Sequence, residues 1–145
     1  MNHVRDERSS IQRSFRLSRR TIELLDAAAA AGRETRNALA DRLLGEALRL
    51  ERHPLIHFHE GASGRRQPLV VGTRLYVHQV IATVRASDSD IEEAATYLAV
   101  APRLVRAAVG YYAEFADEVD DDAANASRIE LDECARWERQ QRALA

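Results

Sequence analysis

Residues 10–17 (S-I-Q-R-S-F-R-L) alternate with period two, and nothing strand-like follows before residue 55. One face of the segment carries Gln12, Ser14 and Arg16, and the other Ile11, Arg13, Phe15 and Leu17. A lone strand leaves its backbone donors and acceptors unpaired, and a unit of about 45 residues buries too little surface to fold alone. Pairing the strand with its copy in a second chain meets both needs. The expected product is an antiparallel ribbon over four helices. Phe15 and Leu17 turn inward, while Gln12, Ser14 and Arg16 of both chains stand outward.

The helices of that unit are marked by their caps. Ser18 offers a hydroxyl to the start of a helix spanning Arg19–Ala31, in which Ile22, Leu25 and Ala29 share one stripe. Gly32 is expected to end it in the left-handed conformation. Thr35 caps a second helix that runs to about Arg52, with Leu39, Leu43, Leu44, Ala47, Leu48 and Leu50 as apolar positions. Pro54 bars its continuation.

A two-stranded ribbon fits the major groove of B-DNA, where each base pair shows a distinct donor and acceptor pattern. Arg16 can grip guanine O6 and N7, Gln12 can pair with adenine N6 and N7, and Ser14 suits either. Arg13, Thr35 at its helix start and Arg36 are expected on backbone phosphates. Charge agrees with this placement. Residues 1–52 hold eleven Arg and eight acids, residues 53–116 are neutral, and residues 117–145 hold four Arg and nine acids. A basic head can meet a polyanion while an acidic tail meets something else.

The run R-S-F-R-L-S, the turn Gly32-Arg33-Glu34-Thr35 and the Leu-rich second helix resemble the ribbon-helix-helix repressors of the Arc and MetJ type. The resemblance covers residues 10–52. A solvated edge strand ahead of a plain helical hairpin is the competing reading.

A second module occupies residues 53–120. Residues 55–59 and 68–71 read as strands joined by a loop at residues 60–64, and residues 77–85 have helical spacing. Asp90 and its neighbours cap a helix at Ile91–Leu98, and Pro102 suits the start of another over residues 103–116. Helix, short turn, helix is the helix-turn-helix plan, with Arg103 and Arg106 as possible second DNA contacts. Gly72 can permit a turn of positive φ, Thr73 can cap, and Arg74 can hold a neighbouring carboxylate. Tyr111 and Tyr112 read as core and rim aromatics.

The stretch R-Q-P-L-V-V-G-T-R-L-Y-V (residues 66–77), with Ile91-Glu92-Glu93 and V-R-A-A-V-G-Y-Y (residues 105–112), resembles the VapB45-like antitoxin domain. It departs from the family pattern at Gln67, where a basic residue is usual, and in the longer loop at residues 60–65. The resemblance implies an antitoxin of a two-gene module whose partner is a PIN-type ribonuclease.

Residues 121–145 read as an acidic linker and a C-terminal helix (residues 128–144) carrying Ile129, Leu131, Cys134, Trp137 and Leu144. Trp137 is the natural anchor for a partner, with Arg136, Arg139 and Arg142 as a basic edge. Such an Arg can enter the carboxylate cluster of a PIN-type nuclease in place of its cation. Packing of the tail on its own dimer is the alternative.

Catalysis is not expected. The chain has no Gly-rich phosphate loop, nucleophile elbow or paired-carboxylate cleft. Cys134, its one cysteine, sits among acids that would raise its pKa, and His57 and His59 lack supporting ligands for a metal. No cofactor or metal is expected. No apolar run spans a bilayer and the first ten residues lack a signal sequence, so a cytoplasmic location is expected. Together these features point to a mainly α chain with short β: a ribbon-helix-helix dimerisation unit, then a β-hairpin with helix-turn-helix-like helices. The function expected is that of a homodimeric antitoxin that neutralises a PIN-type ribonuclease toxin and represses its own operon through operator DNA. A free-standing dimeric repressor without a toxin partner is the alternative.

Overall fold

Capping oxygens set the helix starts in the computed structural model, which describes residues 10–61 and 63–144. Ala62, in the expected loop, lies outside the described residues. The order is α1 (Arg19–Ala31), α2 (Arg36–Arg52), β1 (Ile56–Glu60), β2 (Arg66–Val70), α3 (Val77–Ala86), α4 (Ile91–Leu98), α5 (Pro102–Glu114) and α6 (Ala116–Leu144). The fold is mainly helical with a small two-stranded antiparallel sheet. The Ser18 hydroxyl accepts from the Thr21 amide at 3.2 Å, and the Thr35 hydroxyl from the Ala38 amide at 3.2 Å. Asp90 accepts from the amides of Glu92 and Glu93 at 2.9 and 3.0 Å. Gly32 does not take the expected left-handed conformation. It leaves α1 in extended geometry (φ −99°, ψ −173°) while its amide donates to the Ala28 carbonyl. An added Cβ would lie 3.3 Å from that carbonyl oxygen, so space, and not positive φ, is what the glycine provides.

The chain divides into two compact units, and the division falls inside α2, between Leu43 and Leu44. In the first unit α1 buries no residue, and Leu39 is the one buried residue of α2. Residues 10–17 form no backbone ladder and are exposed throughout. The strand expected there is therefore not formed among the described residues: β1 and β2 pair with each other, and no described strand pairs with residues 10–17.

The second unit has a continuous core. Strands β1 and β2 pair from Ile56↔Val70 to Glu60↔Arg66. The ladder runs two residues further back along β2 than expected, through Pro68; in a two-stranded sheet a proline can sit with its missing N–H away from the partner. Ile56 and Val70 pack with Val77, Val80 and Ile81 of α3, Ala94 and Ala95 of α4, Val105 and Tyr111 of α5, and Val119 of α6. Between α4 and α5 the chain turns through Ala99 in the left-handed region (φ 54°), and Pro102 opens α5.

The tail departs most from expectation. In place of a flexible acidic stretch and a separate helix, Ala116–Leu144 is a single helix of 29 residues. Val119, Asp122 and Asn125 recur at every third position and are buried, so the first turns of α6 are core. Of the run Asp120-Asp121-Asp122 only the last carboxylate is buried, and Arg65 meets it at 3.0 Å. Asp117 and Glu118 suit the positive end of the helix dipole.

Candidate nucleic-acid interface

In the first unit, Gln12, Arg13, Ser14 and Arg16 are exposed and make no side-chain hydrogen bond or ion pair among the described residues. Ile11, Phe15 and Leu17 are exposed as well, at 76%, 72% and 52%. The expected division into an inward and an outward face is thus not made among the described residues, where residues 10–17 are all exposed. Ile22 and Leu24 of α1 and Leu43 of α2 likewise remain open. The Thr35 hydroxyl is engaged as the cap of α2, and the Arg36 Nε lies 3.0 Å from Asp26. Both side chains are largely open to solvent, and an exposed ion pair of this kind contributes about 0–1 kcal/mol.

In the second unit the Gly-Thr-Arg turn is built by local chemistry. Gly72 adopts φ 75°, where a side chain would be strained. The Thr73 hydroxyl donates to the Val70 carbonyl at 2.8 Å and accepts from the Leu75 amide at 3.0 Å, pinning the exit from β2 to the start of α3. Arg74 is exposed and pairs with no carboxylate among the described residues, contrary to expectation. The turn closes through backbone groups and the threonine alone. Arg103 is exposed, while the Arg106 guanidinium lies 2.6 Å from Glu92 of the preceding helix. Of the two possible second DNA contacts, Arg103 is the one without a competing carboxylate.

The tail residues Arg136, Trp137, Arg139 and Arg142 all lie on the exposed part of α6, and Trp137 is 61% exposed. The Arg142 Nε contacts the Glu138 carbonyl of its own helix at 3.4 Å. Leu131 and Leu144 are also open, at 71% and 84%.

Sequence reading missed two polar clusters around α6. Arg49 of α2 meets Glu118, and the Tyr111 hydroxyl donates to the same carboxylate at 3.1 Å. Burial, with the charge of Glu118 beside it, raises the Tyr111 pKa well above its ordinary value. Asp122 is the second cluster. Burial pushes its pKa up to about 6; Arg65 opposes that rise, while Glu118 and Asp121 add to it. The three-residue spacing of Val119, Asp122 and Asn125 was the available signal, obscured by the polarity of two of the three.

Compared with protein-family models, with curated proteins and with solved structures, the chain matches none.

Proposed function

We propose that the chain is a homodimeric DNA-binding antitoxin whose head reads operator DNA and whose tail engages a PIN-type ribonuclease. One observation carries the DNA-binding half. In the first unit the apolar side chains Ile11, Phe15 and Leu17 stand uncovered beside polar neighbours that have no side-chain partner among the described residues. A second copy supplies the missing strand and the missing layer together. Pairing covers Phe15 and Leu17 and leaves Gln12, Ser14 and Arg16 of both copies on one outer surface suited to base edges. Arg13, Thr35 and Arg36 then fix the register on phosphates. The ribbon-helix-helix arrangement belongs to this proposal.

The toxin-binding half rests on the likeness of residues 53–120 to an antitoxin domain and on the open apolar and Arg residues of α6 from Leu131 onward. Burial of the first turns of α6 favours a second reading, a free-standing repressor in which the tail serves the fold. Two measurements separate these readings. Fluorescence anisotropy with the DNA flanking its own gene should give saturable binding that falls steeply with added salt; salt-insensitive or absent binding would remove the DNA-binding half. Co-expression with each adjacent gene should give a stable complex with a small acidic nuclease; absence of any such neighbour would leave the repressor alone.

A further inference from the structure

We draw no further inference here: the strongest candidate, the open face of α6 that carries Leu131 and Trp137, belongs to the surface already proposed to engage a nuclease, and nothing in the structure shows what else covers it.

Discussion

Arg49 donates through Nη1 to both carboxylate oxygens of Glu118, at 2.9 and 2.7 Å, tying the end of α2 to the first turn of α6. The same guanidinium lies 4.7 Å from the ring centre of Phe115 and 5.7 Å from that of Phe58. A planar cation is held here by an ion pair and by ring contacts; lysine keeps the charge but lacks the flat guanidinium that lies against both rings. Arg49→Ala should destabilise the chain by about 1–3 kcal/mol in urea unfolding, with Arg49→Lys between it and the parent. Equal stability of all three would mean that the contact contributes nothing.

Asp122 gives a pH dependence of definite sign. Its carboxyl is raised from 3.8 to about 6 in the folded chain, so between those values the native state holds a proton that the unfolded state has released. Stability from this group is therefore present at low pH and falls as pH rises through that window. Asp122→Asn should remove the fall and be neutral or stabilising at pH 8, by up to about 3 kcal/mol. Arg65→Ala should steepen the fall, because the charged carboxylate then loses its counter-ion. Parallel stability profiles for the parent and Asp122→Asn between pH 4 and 7 would contradict the assignment.

The tail separates by position along α6. A chain ending at Glu133 keeps the buried Val119, Asp122 and Asn125 and should unfold at the parent's urea midpoint. It lacks Arg136, Trp137, Arg139 and Arg142, and should still bind DNA while losing neutralisation of the nuclease. Trp137→Ala alone should weaken the complex with the nuclease by about 2 kcal/mol or more, measured by calorimetry. Full neutralisation by the shortened chain would remove the tail's role.

Legibility in the sequence followed how local the deciding physics was. Helices α1, α2 and α4 lie where Ser18, Thr35, Asp90 and Pro54 put their limits, because a cap or a missing N–H acts within one turn. The Gly72–Thr73 turn was readable for the same reason. Helix α6 was not, since two of its three buried positions, Asp122 and Asn125, are polar, and the partner of Asp122, Arg65, lies far away in sequence. The fate of residues 10–17 also lies beyond local rules: a strand exists only in its pairing, and alternation does not name the partner. At the candidate interface, the residue types were legible from that alternation. The separation of Phe15 from Gln12 and Arg16 onto two faces is not made among the described residues, where all three are exposed.

Phe15→Ala tests that second copy through packing. Removing the ring from a small paired core should cost roughly 3–5 kcal/mol, shifting the dimer to monomer or unfolding the head. Sedimentation equilibrium reads the first outcome and circular dichroism the second. A variant that stays a folded dimer of parental affinity would place Phe15 outside the interface.

Arg16→Ala probes the outward face. The dimer should persist while specific binding to the flanking DNA falls by about 1–3 kcal/mol or more, with non-specific binding less affected. Unchanged discrimination between that DNA and an unrelated fragment would take Arg16 out of base contact.

Amide hydrogen exchange across residues 11–17, followed as protein concentration rises through the monomer–dimer transition, bears most directly on the paired head. Protection of alternate amides in step with dimer formation is the result expected of an antiparallel ribbon. Amides that still exchange at the unprotected rate in a fully formed dimer would contradict it.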